Sequence, residues 1–170
     1  VWDKERWREF VSFRNRYLNE SEICATKEEV EALGYDAYII GSDQIWNPTF
    51  RNGTDPAYYL DFGSKNVLRK SFAASFAVPC IEDIQKKSWI KDNLKRFDKI
   101  TVREQSALKI LKDMGYDGEL QDDPVFMLNK EEWNRVLDLD ESWKELGIKN
   151  EKYVLIYDFF LSDEIKAAAL

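Results

Sequence analysis

The sequence predicts an α/β domain built on a mainly parallel sheet, and three observations carry that reading. Strand-like runs at residues 37 to 40, 71 to 76, 99 to 102 and 119 to 128 alternate with helical patterns. The run from Lys70 to Val78 mixes small and aromatic residues without an exposed polar stripe, as a strand covered on both faces does. The polar groups that look chemical, from Ser42 to Asn47 and at Arg103, follow the ends of two such runs, where open α/β sheets bind ligands.

The chain of 170 residues can bury one sizeable core, and its 44% hydrophobic content, with ten Phe, eight Tyr and six Trp, supplies the material. A net charge of -7 and a pI near 4.8 argue against a nucleic-acid binder, which needs clustered Lys and Arg. Cys24 and Cys80 stand far apart, so neither a disulfide framework nor a structural zinc site is indicated. No apolar run approaches the roughly 20 residues that span a bilayer, and the N-terminus lacks a signal-peptide pattern. A soluble, cytoplasmic protein is expected. The sequence has no histidine, so acid–base chemistry on this chain falls to Asp, Glu, Lys, Tyr or Arg.

Residues 1 to 18 place Trp2, Trp7, Phe10, Val11, Tyr17 and Leu18 at roughly helical spacing, which predicts a helix with one face on the core. Thr26 with Glu29 forms a capping box that starts a short helix through Leu33, ended by Gly34. A buried strand at Ala37 to Ile40 follows and closes at Gly41. Arg51 to Pro56 is loop-like, with Asn52-Gly53 and Asp55-Pro56 as turn signals, before Tyr58, Tyr59, Leu60 and Phe62 return to the core.

After the Lys70 to Val78 run, Ile81, Ile84, Ile90, Leu94 and Phe97 predict an amphipathic helix. Lys99 to Val102 is the next strand, Arg103 stands at its end, and a helix carrying Ala107, Leu108, Leu111 and Met114 runs until Gly115. Glu119 to Leu128 reads as a further strand interrupted by Asp122-Asp123-Pro124. That aspartate pair admits three roles: metal ligation, an acid–base couple, or turn chemistry before proline. Asn129 with Glu132 caps a helix with Trp133, Val136 and Leu137. A charged stretch from Asp138 to Lys152 precedes a strand-like Tyr153 to Tyr157 and a helix capped near Ser162.

Two positions leave two readings open. From Ser42 to Asn47 the residues either line a site beside Trp46 or make a capped turn over a core tryptophan. Arg103, beside a helix N-terminus, either holds an anion or bridges to Glu104 or Asp98.

Gly41 to Pro48, Gly-Ser-Asp-Gln-Ile-Trp-Asn-Pro, resembles the signature of the polysaccharide pyruvyl transferase family. Tyr59 to Phe62, Lys70 to Phe76, Thr101 to Glu104 and Asp123 to Phe126 follow in the order that family shows. The resemblance covers most of the chain. It implies the N-terminal half of a GT-B-like enzyme with two Rossmann-like halves. Residues 1–137 would be the N-terminal domain without its first strand, 138–152 a linker, and 153–170 the start of a second α/β domain.

With neither an initiator Met nor a preceding strand at Val1, the chain is expected to be a piece of a longer protein, inactive alone. The implied activity, in cell-surface polysaccharide biosynthesis, moves pyruvate from phosphoenolpyruvate onto two sugar hydroxyls as a ketal and releases phosphate. Phosphoenolpyruvate is the donor substrate, and neither a further cofactor nor a metal site is expected. Asp43 would be the catalytic hydroxyl ligand or base and Arg103 the anion clamp. Ser42, Gln44 and Asn47 would orient the sugar, with Trp46 as a stacking wall. The rival is a glycosyltransferase-like or non-catalytic sugar-binding domain of the same architecture.

Overall fold

The computed structural model describes residues 4–137, 156 and 163–168. Four short strands run parallel in two ladders. β1 (Ala37–Ile40) pairs with β2 (Leu68–Ser71), Ala37 opposite Leu68 and Ile40 opposite Ser71. β3 (Thr101–Val102) pairs with β4 (Glu119–Leu120). Two single parallel bridges, Lys70 to Lys99 and Ala74 to Val102, join the ladders. Helices α1 (Lys4–Tyr17) and α2 (Lys27–Ala32) precede β1, α3 (Ile84–Leu94) links β2 to β3, and α4 (Gln105–Asp113) links β3 to β4. The fold class is α/β with small parallel sheets, as the alternation predicts.

The chain divides into two compact units, Val1–Met127 and Leu128–Leu170. In the second, α5 (Lys130–Leu137) opens with a reciprocal cap: the Glu132 amide donates to Asn129 Oδ1, and the Asn129 amide to Glu132 Oε2. A helix spans Asp163–Ala168. The expected linker at 138–152 and the strand at 153–157 fall outside the described residues, apart from Ile156.

Where apolar spacing is regular, the sequence folds as expected. α4 buries Ala107, Ile110 and Leu111, three and four residues apart, with Met114 just beyond. α3 buries Ile90 and Leu94. Both close on a cluster around Trp46, Tyr59 and Phe76. α2 carries the expected capping box from Thr26 and Glu29.

Four expectations need correction. The strand at Ala37–Ile40 forms but is not buried: among the described residues it pairs with β2 alone, and Ile39 stands 66% exposed. The run from Lys70 to Val78 is buried, but it is extended only to Ser71, because Ala73 (φ 49) and Ala77 (φ 52) adopt left-handed backbone. Side chains stitch the gap that this opens in the sheet. Ser71 Oγ donates to the Thr101 carbonyl and accepts from the Thr101 amide. Thr101 Oγ1 donates to the Ser71 carbonyl and accepts from the Ala73 amide. Buried backbone groups thus find partners where the regular ladder stops.

The strand expected over 119–128 ends at Leu120, because Pro124 pre-sets the first turn of a short 3-10 helix, Pro124–Phe126, capped by the Asp123 carboxylate. The face of α1 expected on the core is instead half-exposed: Phe10 stands at 56% and Phe13 at 52%. Its rings pack along the helix itself, Trp7 on Phe10 and Phe13 on Tyr17 at centroid distances of 6.2 and 4.9 Å.

Candidate functional site

The site is assembled where the parallel strands end. From β1 the chain leaves through Gly41 (φ +139), where an added Cβ would stand 1.9 Å from the Phe72 carbonyl oxygen. Only glycine fits so close to β2's exit. Beyond it the two exits run bonded to each other: the Ser75 amide donates to the Asp43 carbonyl, and the Trp46 amide to the Ser75 carbonyl, at 3.2 and 3.1 Å. Asp43 Oδ1 accepts from the Gln44 amide at 2.7 Å, which fixes the aspartate at the head of a turn.

Arg103 and Glu104 follow β3, and Asp123 follows β4. Arg103 Nη1 donates to Asp123 Oδ2 at 2.9 Å, and the Ser42 hydroxyl donates to the same oxygen at 2.9 Å. Arg103 Nη2 stands 3.9 Å from Asp43 Oδ1, and Nε 3.9 Å from Glu104 Oε2. Those two nitrogens lie outside hydrogen-bond reach of the carboxylates and retain N–H groups for a further acceptor. The guanidinium is therefore anchored at one corner and available at another.

Glu104 Oε1 is held by the Ser75 hydroxyl and by the amides of Phe76 and Ala77. The left-handed turn at Ala77 helps to aim those donors at one oxygen. The Asp123 carboxyl is held below its ordinary range, first by the Val125 amide, then by Ser42 and by Arg103.

Asp43 and Arg103, expected at strand ends, are thus brought together on one edge, and Ser42 joins them through Asp123. Arg103 makes its close bridge to Asp123 and a looser ion pair with Glu104, the expected partner, whereas the Asp98 carboxylate accepts from the Arg69 amide. Asp123 plays a turn role and a site role at once.

Two expected ligand residues sit elsewhere. Trp46 is fully buried, its ring 5.8 Å from Tyr59 and 5.4 Å from Phe76, with Nε1 donating to the Tyr58 carbonyl. A ring sealed in the core offers no stacking wall, so Trp46 shapes the site by packing beneath it. Asn47 is 5% exposed and its amide is spent locally, donating to Gln44 Oε1 and accepting from the Thr49 amide and hydroxyl. Gln44 remains exposed.

Beside Asp43 lies a cavity of about 400 Å³ lined by Asp43, Gln44, Ile45, Phe50, Asn52 and Tyr58. Sequence reasoning read Asn52 as loop, gave Phe50 no role, and so missed this wall. It also left Asp122-Asp123 open between metal ligation, an acid–base couple and a turn, because the strand was expected to run on to Leu128 and Asp123 did not read as lying past its end.

A family model described as polysaccharide pyruvyl transferase matches residues 1–170. The chain belongs to the polysaccharide pyruvyl transferase family. Neither a curated protein nor a solved structure matches it. Membership implies transferase activity on a sugar or polysaccharide acceptor. Among the described residues no helix is long and apolar enough to cross a membrane.

Proposed function

We propose that this polysaccharide pyruvyl transferase moves pyruvate from phosphoenolpyruvate to a sugar in cell-surface polysaccharide biosynthesis. The reaction takes place in the cytoplasm, in a GT-B-like cleft of which the described edge is one wall. The observation that carries the reading is Arg103, tethered to Asp123 and 3.9 Å from Asp43, at the carboxyl ends of parallel strands in a member of this family.

Two acceptor hydroxyls each form one bond to the central carbon of the donor, and the carbon–oxygen bond to phosphate breaks. Of the two hydroxyl protons, one ends on the donor's methylene, which becomes the ketal methyl, and one leaves with phosphate. Asp43 takes a proton from an attacking hydroxyl. Arg103 meets the donor's carboxylate or phosphate through the N–H groups that Asp123 does not use. Ser42 sets the Asp123 carboxylate that holds Arg103 in place.

The test incubates the full-length natural polypeptide with phosphoenolpyruvate and a panel of pyranosides, following phosphate release and the ketal methyl resonance. Turnover is expected, with Asp43→Asn lowering kcat by about 10²- to 10⁴-fold and Arg103→Met raising the KM for phosphoenolpyruvate. Binding of a nucleotide-sugar in place of phosphoenolpyruvate would assign the chain to glycosyl transfer. Binding of neither would leave a non-catalytic sugar-binding module.

A further inference from the structure

The cavity beside Asp43 differs in chemistry from the Arg103 edge. Its one charged lining residue is Asp43, an anion, and Arg103 does not line it. A phosphate or carboxylate would meet like charge there and no counterion among the lining residues. What the lining does offer is an aromatic surface at Phe50, which is 54% exposed, the ring of Tyr58, and the side-chain amides of Gln44 and Asn52. Aromatic faces pack against the C–H surface of a sugar ring, and primary amides both donate and accept, as hydroxyl groups require. A volume near 400 Å³ falls inside the usual range for small-molecule cavities, about 300–1,000 Å³.

We propose that this cavity is the acceptor subsite. A neutral pyranose ring stacks on Phe50, Gln44 and Asn52 bond its hydroxyls, and Asp43 meets the hydroxyl that attacks. Asp43 then belongs to both halves of the site, lining the cavity and standing 3.9 Å from the guanidinium of Arg103. The stacking role expected of Trp46 passes to Phe50, four residues on. The inference rests on the transferase reading only in calling the sugar an acceptor; the cavity's preference for a neutral glycoside stands on its lining.

The experiment has a binding arm and a kinetic arm, both on the full-length polypeptide. Saturation-transfer NMR with methyl pyranosides of differing hydroxyl stereochemistry is expected to show contact, which Phe50→Ala weakens about tenfold and Phe50→Trp retains. In turnover, Phe50→Ala should raise the acceptor KM by a similar factor and leave the KM for phosphoenolpyruvate unchanged. The Phe50 side chain is largely exposed and its hydrogen bonds to Asn47 and Gly53 are made by its backbone, so the alanine variant keeps the fold. Equal glycoside binding by wild type and Phe50→Ala overturns the inference, as does a rise in the KM for phosphoenolpyruvate that matches the acceptor's. Absence of phosphate release from wild type defeats the transferase reading instead, and the binding arm still decides the cavity.

Discussion

Arg103 is outnumbered by the carboxylates of Asp43, Glu104 and Asp123, yet only Asp123 bonds it directly. A substrate anion thus competes with Asp43 and Glu104 at a distance, where each interaction is worth on the order of 1 kcal/mol in a wet site, and not with a closed ion pair. The Asp123 carboxyl is the group whose ionisation ties the edge together, and it titrates below its reference value of 3.8. A depressed folded pKa gives stability that is present above the unfolded value and lost as pH falls through the folded one. Carboxyl-resolved NMR titration should therefore place Asp123 below 3.8, with Ser42→Ala and Arg103→Met each moving it upward. The Ser42–Asp123–Arg103 bonds should survive at any pH above that reference value and fail only in more acid solution.

Between strands, two hydroxyls replace backbone pairing. Removing the Ser71 hydroxyl by Ser71→Ala strips the buried Thr101 amide of its acceptor, since the Thr101 carbonyl keeps the Ala74 amide. The expected cost is about 1–3 kcal/mol in denaturant unfolding, from a side chain only 3% exposed. Trp46→Ala, which empties the centre of the core cluster, should cost about 3–5 kcal/mol, whereas Phe50→Ala should barely move the midpoint. This contrast separates two aromatics that sequence cannot rank. Periodicity made α3 and α4 readable, and Thr26 with Glu29 marked the start of α2, because spacing and capping are local chemistry. It could not reveal that Ala73 turns left-handed, because a run of small buried residues looks alike whether it pairs as a strand or bends against Thr101. Nor could it separate Trp46 from Phe50, since burial is decided by Tyr59, Phe76 and Phe97, all distant in sequence.

For the molecule as a working unit, exposure is the governing fact. The Asp43 side chain is 90% accessible, and proton transfer to an enol phosphate in competition with water requires a dry, closed site. Residues 1–170 incubated alone with phosphoenolpyruvate and a pyranoside are therefore expected to release no phosphate above background, while the full-length polypeptide turns over. Comparable rates from the two would place every needed group on this edge. The sequence located that edge through Asp43 and Arg103, because residues after strand ends in an α/β pattern converge by topology. Glu104 was legible as a neighbour of Arg103, but Asp123 was harder to read, since its place depends on how Pro124 bends the chain.

The segment from Gly41 to Gly53 meets other main chain at close range at each end. A methyl at position 41 would collide with the Phe72 carbonyl, and one at position 53 would stand 1.8 Å from the Asn47 carbonyl oxygen. Its outline is set by those approaches together with the buried Trp46 and the bonds of Asn47, while positions 44, 50 and 52 line the cavity. For anyone retargeting the enzyme to new glycans, this divides the segment into a frame and a palette. Libraries randomised at 44, 50 and 52 should yield mostly folded proteins of altered sugar preference, whereas libraries that touch 41 or 53 should yield mostly aggregates.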